Sequence, residues 1–290
     1  MTLAFALVRA AHFLSLMMVF GGCALRALAE AQLKPAPASH VPEDLYRSAA
    51  AISLLTAILW FAFTVVQVSG DPGAIFDGHT LATVATETSF GPFFIARIAA
   101  CAFLVAATFI PGASRARLLV SGFALGDIAF TGHAASAEVS IFGLGVASDA
   151  VHLVTAGFWF GALIELAPLA VALRSEPGRL VPLLRLFSRW ATPAVALLIA
   201  AGVLNSVLIL YADPARWSAT YLTLLAIKIV LAALMVALAL ANRLSLVPGM
   251  EAGDAEAGRN LVGSVTAEIA TGAIIVVIVG FLGLHSPLAI

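Results

Sequence analysis

Histidine is the residue type in this sequence whose placement most strongly suggests chemistry. Six histidines occur in 290 residues, and three of them, His12, His133 and His152, lie within apolar stretches or at their ends. Neutral imidazole is the usual protein ligand for copper and other late transition metals. We therefore take these three as candidate metal ligands, with His79 and His285 as secondary candidates.

Other residues near the histidines could complete a metal site. Asp149 precedes His152 by three residues, so both lie on one face of a helix. Its carboxylate could be a weak ligand, a partner that fixes the imidazole tautomer, or a helix N-cap. Met17 and Met18 follow His12 by about one turn or more and carry thioether sulfur, a donor that Cu(I) prefers. Methionine in an apolar helix is more often core filler.

The elements that must position these residues are apolar. Hydrophobic residues make up 62% of the chain and charged residues 11%, against roughly 25% charged in soluble domains, so lipid is the main solvent. A spanning helix needs about 20 apolar residues. The sequence predicts an all-α polytopic membrane protein, a single integral membrane domain over 1–290 with eight transmembrane helices near 3–27, 45–69, 91–111, 117–136, 148–173, 186–211, 219–241 and 261–284.

The distribution of charge predicts the orientation in the membrane. If the connection between the first two helices is cytoplasmic, nearly all loop Lys and Arg residues lie on the inner side, as the positive-inside rule requires. Both termini then face the periplasm, and five of the six histidines lie on the outer side. The net charge of −1 excludes nucleic-acid binding driven by bulk charge.

Charged residues inside the predicted helices are expected to face the bundle interior. Each costs about 2.5–3.5 kcal/mol at the bilayer centre unless it is paired or hydrated. Asp127, one to two turns before His133, is a candidate cation relay or, alternatively, forms an ion pair with Lys228 or Arg97. The candidate transport path comprises Asp127, Lys228, Arg97, Glu165 and Glu268.

An internal repeat relates the two halves of the chain. HFLSLMMVFG from His12 aligns with HLVTAGFWFG from His152, so Phe20 and Gly21 coincide with Phe160 and Gly161. Both segments are predicted to cross the membrane in the same direction. This alignment predicts a parallel 4+4 helix duplication with halves 1–140 and 141–290. Chance similarity between apolar helices is the alternative.

Several motifs taken together resemble the copper resistance protein D (CopD/PcoD) family. The resemblance covers essentially the whole chain in order, and eight helices fit that family. One departure is Ala162, where the family more often has glycine. The matching motifs are HLVTAGFWFGAL from His152, TGHA from Thr131, Phe187-Ser188, Lys228, Asn242-Arg243, Glu268 and Pro287.

The resemblance implies an inner-membrane protein of copper homeostasis, which moves Cu(I) or Cu(II) from periplasm to cytoplasm beside a periplasmic copper-binding protein of the CopC type. It implies copper contact at His133 and His152, and by position at His12. The residues themselves leave two other readings open. One is a membrane redox protein in which His12 and His152 hold a b-type haem, and the other is a membrane partner protein that transports nothing. The sequence has no P-loop, nucleophile elbow, HExxH or CxxCH motif, so we do not expect an enzyme.

Overall fold

The regular elements of the described chain are helices. A computed structural model describes residues 2–132, 143–211 and 217–286; His133 and Pro287 lie outside these ranges. The α-helices are α1 Thr2–Gln32, α2 Glu43–Ser69, α3 Gly78–Glu87, α4 Gly91–Ala107, α5 Ser114–Asp127, α6 Leu144–Leu173, α7 Pro177–Tyr211, α8 Ala219–Ala241, α9 Val247–Glu251 and α10 Ala255–Leu282. Short 3-10 helices cover Pro72–Phe76 and Ile128–Thr131, and a π-helix covers Asn242–Leu246.

A helix lies at each of the eight predicted transmembrane positions. Six are long and apolar enough to cross a membrane by themselves: α1, α2, α6, α7, α10, and α8 continued through α9. Helix α4 has 17 residues and meets that test only together with α3, to which it is joined at a bend of 101°. Helix α5 has 14 residues. The all-helical membrane architecture is therefore confirmed, with six spans in the described residues.

The segment 70–90, which joins the second and third predicted helices, is folded. It contains a 3-10 helix and α3, which pack a small apolar cluster of Val65, Ala74 and Val84. Asp77 caps α3, because its carboxylate accepts from the backbone N–H groups of His79 at 3.1 Å and Thr80 at 3.2 Å. Hydrogen bonds from the Thr80 hydroxyl and these N–H groups lower the pKa of Asp77.

Helices α1 and α6 form the centre of the bundle. Helix α1 contacts α2, α5, α6 and α10, and α6 contacts α1, α5, α7 and α10. One group of four helices is closed, because each member contacts the next in the order α1, α2, α4, α5 and α5 returns to α1. Helix α8 packs mainly on α10. The bundle core is thus the seam between the two central helices.

Two glycines allow α1 and α6 to approach each other closely. A Cβ placed on Gly161 would overlap the backbone of Met17 and lie 2.9 Å from the Cα of Gly21. Farther along the seam, Arg26 of α1 contacts Glu165 of α6, so the two helices run parallel. Such backbone contact is possible only where both helices lack side chains.

We expect Gly161→Ala to destabilise the protein. The new Cβ meets backbone, which cannot move aside, so overpacking should cost about 1–3 kcal/mol of unfolding free energy. Thermal unfolding in detergent measures this cost. Gly263→Ala is the control, because a Cβ there meets no atom within 4 Å. Equal unfolding temperatures for the two variants would contradict the tight seam.

Candidate metal-binding site

His12 is held with one ring nitrogen free. Its side chain is completely buried in α1, and its Nδ1 lies 3.1 Å from the carbonyl oxygen of Ser53 and 3.0 Å from Thr56 Oγ1 on α2. Since a carbonyl oxygen only accepts, Nδ1 carries the proton. Nε2 is buried without a hydrogen-bond partner, so a proton there would be unpaired. The ring is therefore neutral, with a lone pair on Nε2, as in histidines that bind metals.

His152 is anchored in the same manner on the other central helix. Its Nδ1 lies 3.0 Å from the carbonyl oxygen of Leu198 on α7. Gly202 gives the ring room, because a Cβ at that position would lie 3.0 Å from His152 Cε1. His152 Nδ1 is accordingly the protonated nitrogen, and Nε2 is the one left to bind a ligand.

Among the residues that the structure describes, the predicted ligands do not form one cluster. His12 is anchored to α2 and His152 to α7. Within residues 2–132, 143–211 and 217–286, no three His, Cys, Asp or Glu side chains lie close enough to hold one metal ion. His79 is exposed at the start of α3, His285 follows the end of α10, and His133 is outside the described residues.

Aromatic and cationic groups surround the His12 ring. Trp60 meets it edge-on with ring centres 5.6 Å apart. The guanidinium groups of Arg9 and Arg97 lie 4.3 Å and 5.1 Å from the centre of the Trp60 ring, within the range of cation–π attraction. His12 is thus one member of a buried polar cluster at the N-terminal end of α1.

Asp127 forms an ion pair with Arg97. Its Oδ2 accepts from Arg97 Nε at 2.9 Å, and Arg97 also donates to the Asp127 carbonyl oxygen at 3.2 Å and to Thr131 Oγ1 at 2.9 Å. Of the two partners considered from sequence, Arg97 is the one observed.

Asp149 links α6 to α7. Its Oδ1 accepts from Asn205 Nδ2 at 3.1 Å. The suggestion that Asp149 caps a helix was wrong, because α6 begins five residues earlier at Leu144. The tautomer of His152 is set by the Leu198 carbonyl, so Asp149 is not needed for that purpose.

Glu165 is paired at the other end of the seam. Its carboxylate accepts from Arg26 Nε at 3.1 Å and from the Tyr46 hydroxyl at 2.6 Å. Arg26 also contacts Glu43, which binds Arg117 at 2.8 Å. Sequence reasoning missed Tyr46, Glu43 and both arginines as partners, because they come from three different helices and no spacing along the chain relates them.

The sulfur-bearing side chains of α1 lie in the core. Met17 and Met18 are 5% and 8% exposed, and Cys23 is 2% exposed. Met17 packs at the α1–α6 seam, with its Cγ 3.5 Å from where a Cβ on Gly157 would lie. Such burial is typical of residues that pack a core. The sulfur atoms of these side chains are also soft metal donors, and they lie along α1 between His12 and the end of the seam that holds Glu165.

Comparison with known proteins identifies the family. Residues 1–144 match the model of the copper resistance protein D-like N-terminal domain, and residues 181–282 match that of copper resistance protein D. The inner membrane protein YebZ of Escherichia coli K12 is 30% identical over 289 residues, which are 97% of each chain. This chain belongs to the copper resistance protein D family.

Other relatives agree with this assignment. Copper resistance protein D of Pseudomonas syringae pv. tomato is 29% identical over 97% of this chain and 96% of its own length. The copper transport protein CutJ of Bacillus subtilis is 27% identical over 62% of this chain and 35% of its own length. No solved structure matches the chain. The predictions of this family and of a multi-pass inner-membrane protein are confirmed.

Breaking the Arg97–Asp127 pair should destabilise this copper resistance D protein. Asp127→Asn leaves a buried guanidinium without its counter-charge, which costs roughly 3–5 kcal/mol. The unfolding midpoint in detergent should fall, and the double variant Arg97→Met/Asp127→Asn should recover part of the loss. Glu176→Gln is the control, since the Arg179–Glu176 pair is exposed and worth at most about 1 kcal/mol. Equal effects of Asp127→Asn and Glu176→Gln would contradict a structural role for the buried pair.

Proposed function

We propose that this protein moves copper across the bacterial inner membrane from periplasm to cytoplasm, with His12 and His152 as its first ligands. One observation carries the proposal. Each ring donates its Nδ1 proton to a backbone carbonyl oxygen of the neighbouring helix, which leaves Nε2 as a fixed lone-pair donor. Family membership supports copper as the cargo, and copper handling rather than catalysis as the role.

The orientation that we propose has eight crossings and both termini in the periplasm. Helices at all eight predicted positions support this count, with α3 completing the span of α4 and the 3-10 helix Ile128–Thr131 extending α5. His12 and His152 then lie near the periplasmic surface, and Arg26 and Glu165 near the cytoplasmic one. This arrangement fits the excess of basic residues on the predicted inner side.

We also propose that the single membrane domain is a parallel 4+4 duplication of 1–140 and 141–290. In a duplicated bundle, a two-fold axis relates the halves, and equivalent residues next to that axis lie in contact. Gly21 and Gly161, which the repeat aligns, touch each other at the seam. Phe20 packs against Gly122 of α5, while its counterpart Phe160 packs against Gly272 of α10.

The histidines follow the same relationship between the halves. His12 bonds to the second helix of its half at Ser53, and His152 bonds to the second helix of the other half at Leu198. A duplicated bundle therefore offers two similar imidazoles, one in each half.

The route inward that we propose follows the polar groups inside the bundle. Near the histidines these are the Arg97–Asp127 pair and Asp149 with Asn205, and Lys228 lies on α8. Met17, Met18 and Cys23 lie farther along α1. The cytoplasmic end has Glu165 with Arg26, and Glu268 with Asn242. Pairing lowers the free-energy cost of burying these charged groups in the membrane, and their oxygen atoms can still interact with a passing cation.

Further ligands and a partner complete the proposal. His133 follows Thr131 by two residues, and Thr131 bonds to Arg97 of the His12 cluster, which supports His133 as a third ligand. His79, His285 and Asp149 are secondary candidates. Copper would arrive from a periplasmic CopC-like protein, as Cu(I) or Cu(II), since imidazole accepts both.

Copper binding by purified protein tests the ligands. We expect the wild type to retain copper and His12→Ala/His152→Ala to lose most of it, measured by inductively coupled plasma mass spectrometry, together with lower copper accumulation in cells. His40→Ala is the matched control, because His40 is exposed in the connection between α1 and α2. Thermal unfolding shows whether the double variant is folded.

Two results would overturn the proposal. Equal copper content and accumulation in the wild type and a folded double variant would exclude these ligands. A Soret band in the absorption spectrum of the purified protein, lost in the double variant, would instead favour the b-type haem reading.

A further inference from the structure

A cavity with a polar end lies in the second half of the chain, away from the histidines. It has a volume of about 150 Å³ and lies between α6, α7, α8 and α10. Its walls are largely apolar, with Trp159 and Phe187 among them. The polar groups are gathered where α8 ends: Glu268, Asn242, Arg243, Ser188 and Thr192.

Glu268 enters this cavity without a counter-charge. Its side chain is 1% exposed, and its Oε1 accepts from Asn242 Nδ2 at 2.6 Å. Arg243 is the other charged residue lining the cavity, and its guanidinium donates to Thr192 Oγ1. Throughout the described ranges, no Lys, Arg or His forms an ion pair with Glu268.

Two other buried carboxylates, Asp127 and Glu165, are ion-paired. Asp127 has Arg97 at 2.9 Å, and Glu165 has Arg26 at 3.1 Å. An unpaired carboxylate in an apolar interior costs several kcal/mol, whereas a neutral carboxylic acid avoids most of that cost. The contrast indicates that Asp127 and Glu165 are charged and that Glu268 is the acid that holds a proton.

Asn242 is oriented to bind the neutral acid. Its Nδ2 donates to Glu268 Oε1, while its Oδ1 is buried without a hydrogen-bond donor. A proton on Glu268 Oε2 supplies the donor that this oxygen lacks, and the two side chains then form a cyclic acid–amide pair. An ionised carboxylate offers no donor, so Asn242 Oδ1 would stay unsatisfied.

The backbone at Asn242 is unusual in a way that fits a site. Helix α8 passes into the π-helix Asn242–Leu246, which carries both Asn242 and Arg243. Single π-helical turns inside α-helices are frequent at functional sites. The extra residue in such a turn changes the direction in which the following side chains point. Here the turn places Asn242 against Glu268 of α10.

The cavity's donor set does not suit copper. Its polar lining provides oxygen atoms from one carboxyl group, one amide and two hydroxyls, together with a guanidinium. Copper prefers imidazole nitrogen and sulfur, and no His, Cys or Met lines the cavity. A proton suits this set, because it needs a single acceptor oxygen, and the guanidinium of Arg243 in the same cavity disfavours a metal cation.

We propose that Glu268 is a proton-binding site, in which the neutral acid is held by Asn242 and exchanges its proton through the cavity. The groups facing it are Asn242 and Arg243 from the end of α8, Ser188 and Thr192 from α7, and Trp159 from α6. This site is separate from the proposed copper ligands His12 and His152, although Glu268 lies on the proposed inward route, and it gives the protein a second cation site near the opposite end of the bundle.

Dicyclohexylcarbodiimide tests the protonation state in the full-length protein. The O–H group of a carboxylic acid adds across a C=N bond of the carbodiimide, so a neutral acid in an apolar site reacts and an ion-paired carboxylate does not. We expect mass spectrometry to find the adduct on Glu268, with less labelling as the pH is raised and none in Glu268→Gln. Glu165 and Asp127 serve as controls within the same molecule and should remain unlabelled.

Infrared spectroscopy decides the question if the reagent cannot reach the cavity. The wild type should show a protonated-carboxyl C=O band that is missing from Glu268→Gln and shifted in Asn242→Leu. Identical carbonyl spectra for wild type and Glu268→Gln, or labelling of Glu165 as fast as Glu268, would overturn the proposal. Copper binding by Glu268→Gln is measured in parallel, so that failure here is separate from failure at His12 and His152.

Discussion

The close approach of α1 and α6 at Gly21 and Gly161 is the contact on which the rest of the bundle depends. The two backbones touch there, and since the helices run parallel, Arg26 meets Glu165 farther along the seam. Toward the other end, His12 bonds to α2 and His152 bonds to α7. The seam therefore gives each half of the molecule its own imidazole, anchored by its own neighbouring helix.

Lipid imposes the second constraint, because an ionisable side chain inside the bundle must either pair with an opposite charge or stay neutral. Arg97 with Asp127 and Arg26 with Glu165 meet it by ion pairing across helices. Glu268 has an amide instead of a cation, and this contrast is the basis on which we propose that it holds a proton. In a membrane bundle, the residue left without a counter-charge indicates where a mobile cation can bind.

Much of this fold could be read from apolar runs of about 20 residues, because lipid requires such runs in any spanning helix. The eight positions predicted in this way all hold helices, although α4 and α5 are shorter than expected. Helix α3 was not foreseen, since a ten-residue helix with one buried side chain, Val84, leaves little periodic signal. His12 and His152 are anchored to different helices, α2 and α7, and their role as ligands stays a prediction.

Sequence by itself determined that the chain is a helical membrane protein, which residues are candidates for its chemistry, and that it resembles the copper resistance protein D family. These follow from composition and local spacing, which need no knowledge of what packs against what. Only the tertiary structure decided that Arg97 rather than Lys228 pairs with Asp127, which nitrogen of His12 is free, and that Asn242 meets Glu268. Each of these depends on atoms from different helices within hydrogen-bonding distance, and helix–helix register is set by packing across the bundle, not by the order of residues along one helix.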